Sequence, residues 1–151
     1  MRKSLAMVFI TAFATAAWAQ KSPSGNAGFD GQDKNHDGYL SKQEIAGDKE
    51  MEKRFAKFDG NKDGRWTLDD YIRAHKDNDE RIAADTAITT KVKSSLLLEK
   101  GVPSTSVSVE TYEGHVQLSG FVDNAGIKEK AGKVAAGISG VKAVENKLTV
   151  K

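Results

Sequence analysis

Apolar residues recur with a helical period in two segments of the C-terminal half of the chain. Between Asp85 and Glu99 they fall three or four positions apart, which predicts an amphipathic helix with Asp85 as its N-cap. A second helix is expected to begin at Asp123 or Asn124 and to end at Gly140. Its predicted apolar face consists of Ile127, Ala131, Val134, Ala135 and Ile138.

Three other segments alternate apolar and polar residues, which is the period of a half-buried strand. They cover residues 107–110, 115–120 and 144–150, and Glu113-Gly114 marks a tight turn between the first two. Together with the helices, they give the order α-β-β-α-β. We therefore predict an α+β fold in which two helices cover one face of a three-stranded sheet.

The N-terminal half is rich in Asp, Asn, Gly and Lys, and it contains an internal repeat. The sequence from Phe29 is FDGQDKNHDGYLSKQEI, and the sequence from Phe55 is FAKFDGNKDGRWTLDDYI. Between the repeats, residues 45–58 carry apolar side chains that can line one face of a single helix. The glycine-rich stretch 24–31 argues against a helix before the loop that begins at Asp33.

The first residues have the pattern of a secretory signal peptide. Arg2 and Lys3 precede an apolar run, and Ala17-Trp18-Ala19 provides a cleavage site after Ala19. An uncleaved membrane anchor is the alternative, but the run is shorter than the roughly 20 residues that a spanning helix needs. A periplasmic location is therefore expected.

The chain is accordingly expected to consist of four segments. Residues 1–19 are the signal peptide, and residues 20–28, rich in Ser and Gly, are a flexible linker. The repeats occupy residues 29–78. The second domain covers residues 81–151, and the composition changes near residues 78–84, where Asp and Asn give way to Val, Ala and Leu.

Charge and cysteine content exclude several classes of function. Removal of Arg2 and Lys3 from the 23 basic residues leaves 21, which equals the number of acidic residues. The mature chain is therefore neutral, and nucleic-acid binding is not expected. Because the sequence has no Cys, it offers neither disulfides nor a thiolate nucleophile.

The first repeat contains a twelve-residue loop, DKNHDGYLSKQE, with the spacing of a calcium-binding loop. Calcium takes six to eight oxygen ligands, and residues at positions 1, 3, 5, 7, 9 and 12 of such a loop can converge on one ion. Gly38 at position 6 permits the sharp turn. The predicted ligands are Asp33, Asn35, Asp37, the Tyr39 carbonyl, Ser41 and Glu44.

The second repeat contains a similar loop, DGNKDGRWTLDD. Its predicted ligands are Asp59, Asn61, Asp63, the Arg65 carbonyl, Thr67 and Asp70. Asp70 is one methylene shorter than the usual Glu, so this site is expected to bind calcium more weakly and to shift toward magnesium. Leu40 and Trp66 occupy position 8 of the two loops and are expected to meet in a short strand contact.

The two loops and the short helix between them resemble the compact EF-hand pairs of exported bacterial proteins over residues 29–76. Two Ca²⁺ ions are therefore the expected cofactors. The alternative is that both loops are ordinary surface turns rich in Asp and Asn.

Residues 81–151 resemble a BON domain. The resemblance depends on GHVQLSGFV from Gly114, on ISGVKAVENKLTV from Ile138, and on the order of the elements. The family occurs in osmotically induced periplasmic proteins, and it implies binding to phospholipid or envelope surfaces. Four lysines are candidates to face lipid headgroups: Lys128, Lys130, Lys133 and Lys142.

No motif of a known catalytic site occurs in the sequence, so an enzyme is not expected. The favoured function is an exported calcium-binding protein whose BON-like domain binds a phospholipid membrane surface or an envelope protein. The alternative is a calcium buffer, or a calcium-stabilised structural protein, without affinity for lipid.

Overall fold

The computed structural model describes residues 23–151, so the predicted signal peptide, residues 1–19, lies outside the described residues. The chain divides into two compact units, the first ending at Tyr71 and the second beginning at Ile72. Helices and strands are mixed, in agreement with the predicted α+β class. None of the helices within residues 23–151 has the length and apolar character needed to cross a membrane.

The first unit contains short helices and a two-residue strand pair. In chain order these are α1 (Ala27–Gln32), β1 (Leu40–Ser41), α2 (Lys49–Phe58) and β2 (Arg65–Trp66), and they are followed by the start of α3 (Leu68–Leu98).

Helix α1 contradicts the expectation that no helix precedes the loop that begins at Asp33. Asn26, which lies in the glycine-rich stretch, is its N-cap, and the Asn26 side chain accepts a hydrogen bond from the Phe29 N–H. Gly28 lies against Tyr71, where a Cβ would come within 2.5 Å of the phenol oxygen. The glycine that argued against a helix therefore allows this helix to approach Tyr71.

Helix α2 begins four residues later than predicted, at Lys49. The Asp48 carboxylate caps it by accepting hydrogen bonds from the N–H groups of Glu50 and Met51. The helix buries Met51 and Phe55. The Phe55 ring stacks on Trp66 with 5.0 Å between ring centroids, and the Trp66 indole N–H donates to the Phe55 carbonyl.

The predicted N-cap at Asp85 is wrong, because α3 begins at Leu68 and runs without a break to Leu98. The predicted boundary near residues 78–84 lies within this helix, whereas the compact units divide between Tyr71 and Ile72. The pattern of apolar residues before Asp85 is irregular, so periodicity identified only the part of the helix that packs on the sheet.

The second unit contains the predicted three-stranded sheet. Its strands are β3 (Val107–Tyr112), β4 (His115–Val122) and β5 (Ala143–Val150), with β4 in the centre. Strand β3 is antiparallel to β4, and β5 is parallel to it. The parallel pair is connected by α4 (Ala125–Ala136), since parallel neighbours require a crossover connection.

Both helices pack on one face of this sheet, as predicted. The buried core combines side chains from α3, α4 and the inward-facing strand positions: Ile88, Val92, Leu96, Ala131, Ala135, Val107, Val109, Val116, Leu118, Val122 and Leu148. Asn124, one of the two predicted caps, begins α4. The helix ends at Ala136 and not at Gly140, because Gly137 is its C-cap.

Asp85 holds the turn between β3 and β4. Its two carboxylate oxygens accept hydrogen bonds from the N–H groups of Glu113 (2.9 Å) and Gly114 (2.8 Å), and Arg81 forms an ion pair with it at 3.1 Å. Both turn residues have positive φ, 51° and 79°, which is the geometry of a type I′ hairpin turn. Asp85 is 6% exposed, and it satisfies the N–H group of Gly114, which would otherwise be buried without a partner.

We expect the substitution Asp85→Asn to destabilise the second unit by about 2–3 kcal/mol, since a hydrogen bond to a charged group contributes more than one to a neutral group. The asparagine retains one acceptor, but it turns an N–H toward the second turn amide and loses the ion pair with Arg81. Urea denaturation monitored by circular dichroism measures this change. Asp79→Asn, an exposed position on the same helix, is the control and should change the stability by less than about 0.5 kcal/mol.

Candidate metal-binding loops

The two predicted loops follow the ends of α1 and α2 in the same way. Asp33 is the C-cap of α1, and Asp59 is the C-cap of α2. Strands β1 and β2 then join the loops, with Leu40 opposite Trp66. The predicted contact between the two position 8 residues is therefore confirmed, and both of these side chains are fully buried.

The first carboxylate of each loop accepts a hydrogen bond from the glycine at position 6. The Gly38 N–H donates to Asp33 Oδ2 at 2.9 Å, and the Gly64 N–H donates to Asp59 Oδ2 at 3.0 Å. Both glycines have φ of 79°, a left-handed conformation that L side chains rarely adopt. Glycine at position 6 is thus required by the backbone in both loops.

Positions 3 and 5 also form matching contacts in the two loops. In the first loop, the Asp37 N–H donates to Asn35 Oδ1 at 2.8 Å, and the Tyr39 N–H donates to Asp37 Oδ1 at 2.9 Å. In the second, the equivalent bonds join Asp63 to Asn61 at 3.2 Å and Arg65 to Asp63 at 2.9 Å. The side-chain oxygens at positions 3 and 5 therefore point toward the inside of each loop, where they accept hydrogen bonds from its backbone N–H groups.

The backbone itself repeats as well. His36 and Lys62 occupy position 4 of the two loops and have φ of 56° and 59°, a conformation that is uncommon for residues other than glycine. Tyr39 and Arg65, both at position 7, lie across the strand pair with the guanidinium 5.2 Å from the ring centroid. The two repeats therefore adopt one loop structure and contact each other.

The last carboxylate of each loop accepts hydrogen bonds from position 9. Glu44 Oε2 accepts from the Ser41 N–H and hydroxyl at 2.9 and 2.8 Å, and Asp70 Oδ2 accepts from the Thr67 N–H and hydroxyl at 2.9 and 2.7 Å. Glu44 also reaches across its loop, where Oε1 accepts from the Lys34 N–H at 3.0 Å. Burial acts to raise the pKa of Glu44, but the hydrogen bonds from Ser41, Asn35 and Lys34 outweigh it and lower the pKa.

The two loops differ in how their first carboxylate is used. Asp33 is buried, and both of its oxygens accept backbone hydrogen bonds, since Oδ1 takes the Asp37 N–H at 3.2 Å. Asp59 Oδ1 is also buried, but it has no hydrogen-bond partner. A buried carboxylate oxygen without a donor is costly unless a cation accompanies it, so this atom fits a metal ligand.

The donor set of both loops consists of oxygen atoms from carboxylates, amides, hydroxyls and backbone carbonyls. Such a set suits hard cations such as Ca²⁺ and Mg²⁺. Within residues 23–151, no three His, Cys, Asp or Glu side chains are grouped so that they could hold a metal ion. A cation in either loop would therefore depend on the Asn, hydroxyl and carbonyl oxygens as well.

The structure also identifies exposed apolar side chains in the second unit that the sequence analysis missed. Leu97 is 69% exposed and Leu98 is 83% exposed at the end of α3, and Phe121 is 56% exposed near the end of β4. Three consecutive leucines, from Leu96, cannot all face the core, since successive residues of a helix are about 100° apart. These consecutive leucines are therefore the sequence pattern from which exposed leucines at the end of α3 could have been predicted.

Two of the four lysines proposed to face headgroups form ion pairs. Lys130 lies 2.6 Å from Glu99, and Lys133 lies 2.7 Å from Glu129. This pairing raises the pKa of Lys133 and lowers that of Glu129. These two lysines are therefore partly neutralised within the protein.

Comparison with known proteins concerns the second unit. The BON domain family matches residues 84–151, which confirms the resemblance predicted for that region. Over 69 residues the chain is 46% identical to osmotically-inducible protein Y of Escherichia coli (strain K12). This match covers 46% of the chain and 34% of the relative, so the chain spans about a third of the length of the curated relative it matches.

Asp59→Asn is expected to leave the metal-free protein at least as stable as the parent, because it removes charge from an oxygen that has no partner. The side-chain carbonyl of the new amide can still accept from Gly64. Asp33→Asn is the matched comparison and should cost about 1 kcal/mol, since one of its two backbone hydrogen bonds is lost. Thermal unfolding in excess chelator tests both. A large destabilisation by Asp59→Asn would show that Oδ1 has a structural partner.

Proposed function

We propose that this chain is an exported calcium-binding protein of the bacterial cell envelope whose BON domain engages anionic phospholipid surfaces. The observation that carries the calcium part is that one oxygen-lined loop structure occurs in both repeats. Surface turns rich in Asp and Asn are common, but a matching set of side-chain contacts joined by a strand pair is not required of them.

The first loop would hold calcium through side chains at five positions and one backbone carbonyl: Asp33, Asn35, Asp37, Ser41 and Glu44, with the carbonyl of Tyr39. Six oxygens are the minimum that calcium takes, and Glu44 can contribute both of its oxygens. Glu44 would exchange some of its backbone hydrogen bonds for the ion. Protons and backbone amides therefore compete with the metal for this carboxylate.

The second loop would use the equivalent residues: Asp59, Asn61, Asp63, Thr67 and Asp70, with the carbonyl of Arg65. The unpartnered Asp59 Oδ1 supports this assignment. Asp70 is shorter than Glu44 and is held by Thr67, so it would contribute less to a large ion. We infer weaker calcium binding here and greater tolerance of magnesium, which prefers a smaller, octahedral site.

Calcium would act on the first unit chiefly by stabilising it. An ion that binds the folded loops but not the unfolded chain adds stability in proportion to the logarithm of its concentration over the dissociation constant. Sites of extracellular type bind at about 10⁻⁴–10⁻³ M, which suits an exported protein.

The exposed apolar side chains of the second unit support the lipid part of the proposal. Leu97, Leu98 and Phe121 are among the most exposed large apolar side chains of the described residues. Lys100 follows Leu98 after one residue, and its carbonyl accepts from Lys130, which is also paired with Glu99. Lys100 is therefore the cation that the end of α3 offers to an anionic headgroup. Apolar side chains beside lysines can enter the boundary region of an anionic bilayer.

Export and an envelope location are supported by the signal-peptide pattern of residues 1–19 and by the matched relative, whose name describes it as osmotically inducible. We infer that this chain also functions during osmotic stress. No catalytic role is proposed.

Calcium titration of the chain from Gln20 onward should change the fluorescence of Trp66, the only Trp in that part of the sequence. Its ring is buried against Phe55 and belongs to the strand pair that joins the loops, so ordering of the loops reaches it directly. A saturable change, reversed by chelator, is expected. Asp33→Ala combined with Asp59→Ala should abolish it.

Glu44→Gln and Asp70→Asn separate the two sites. Glu44→Gln should weaken the tighter calcium phase, and Asp70→Asn should mainly affect the weaker phase and the response to magnesium. Absence of any response up to millimolar calcium in the unmodified chain would contradict the calcium part of the proposal.

Sedimentation with vesicles that contain phosphatidylglycerol tests the lipid part. We expect binding to these vesicles, and not to phosphatidylcholine vesicles, with about a tenfold loss for Leu98→Ser combined with Phe121→Ser. Ile82→Ser, at an exposed apolar position elsewhere on α3, is the control and should bind normally. No binding with or without calcium would instead favour a calcium-stabilised protein without lipid affinity.

A further inference from the structure

A groove runs along the second unit between α3 and the outer edge of β3. Two adjoining cavities form it, of about 370 Å³ and about 280 Å³, and both are lined by Lys93. The first is lined by Thr86, Thr89 and Thr90 of α3 and by Thr111 of β3. The second continues past Leu97 to Val107 and the turn before it.

The backbone of β3 presents unused hydrogen-bonding groups to this groove. Because the hairpin turn has two residues, Tyr112 and His115 form the hydrogen-bonded closing pair, and the bonded positions then alternate along β3. The N–H and C=O groups of Val109 and Thr111 therefore point away from β4. No other strand within residues 23–151 pairs with this edge.

The two edges of the sheet differ in their protection. Edge strands commonly carry lysine or proline, which discourage pairing with another chain. Strand β5 carries Glu145 and Lys147, whereas β3 carries one charge, at Glu110, and neither lysine nor proline. The β3 edge is therefore the one that can accept a further strand.

The charge of the groove indicates the chemistry of the added strand. Asp85 is the acidic residue among the lining side chains, and it is engaged by Arg81 and by the hairpin turn. Lys93 forms no ion pair in the part of the chain that the structure describes. It lies near the start of β3, beside the hydroxyls of Ser104 and Thr105. One end of the groove thus carries an uncompensated positive charge among hydroxyl groups.

We propose that this groove binds an extended peptide, which adds to the β3 edge as an antiparallel strand and places its C-terminal carboxylate beside Lys93. In that orientation the peptide ends next to the first residue of β3, where Lys93, Ser104 and Thr105 lie. From Ile82 to Leu97 the groove is about 22 Å long, which accommodates six or seven extended residues. The small threonines of α3 leave room for the side chains that face the helix.

The experiment uses the ¹⁵N-labelled chain from Gln20 and an array of synthetic heptapeptides of varied sequence, each with a free C-terminal carboxylate or a C-terminal amide. Binding peptides should shift the amide resonances of Val109 and Thr111 and slow their hydrogen exchange. The amide form should bind about tenfold more weakly. Lys93→Met should remove this preference for the carboxylate, and Lys93→Arg should retain it.

Thr90→Trp fills the groove and should abolish peptide binding, whereas Ala84→Trp, an exposed position on another side of α3, should not. The proposal is overturned if no peptide of the array shifts these two amides, or if binding survives Thr90→Trp. It is equally overturned if anionic vesicles or self-association of the chain, and not peptides, produce the shifts at the β3 edge.

Discussion

Carboxylate and amide oxygens that accept hydrogen bonds from backbone N–H groups hold the tight turns on which both units depend. A turn leaves backbone N–H groups without partners, and burying an unpaired N–H group costs free energy. Asp33 and Asp59 satisfy the glycines of the loops, and Asp85 satisfies both residues of the hairpin turn. Where such an oxygen is present, left-handed backbone is tolerated even at His36 and Lys62.

In the metal-binding loops, a cation would compete with hydrogen-bond donors for the same carboxylate oxygens. The loops are already folded by hydrogen bonds among their own residues, and Glu44 is the clearest case, since its oxygens accept from Lys34 and Ser41. To bind Glu44, a cation must interact with its carboxylate more favourably than those hydrogen-bond donors do. Asp59 Oδ1 differs, because it has no donor to give up.

The second unit has a different balance, because an apolar core holds it together and its polar contacts are confined to the margins. The core is filled from one face of the sheet, so the opposite face, both sheet edges and the end of α3 remain available. Leu97 borders the groove beside β3, whereas Leu98 and Phe121 do not line it. Lipid binding and strand addition can therefore be separated at Leu98 and Phe121, although the two proposals share Leu97.

The sequence by itself determined the elements that local patterns specify. The strand alternation, the two-residue turn at Glu113-Gly114 and the buried face of α4 were all predictable, since each depends on neighbours close in the chain. The spacing of the two loops likewise placed Leu40 opposite Trp66. Asn124 was one of two predicted caps for the same reason.

Only the tertiary structure decided contacts between residues distant in the chain. Asp85 has the side chain of a helix cap, and it does accept backbone N–H groups, but those of a turn 28 and 29 residues away. Gly28 disfavours a helix locally, but the absence of a Cβ allows helix α1 to pack against Tyr71. The unpartnered oxygen of Asp59 and the open edge of β3 also could not be predicted from the local sequence pattern. Periodicity records which side of an element is buried, whereas the partner of a polar atom depends on the packing of the whole unit.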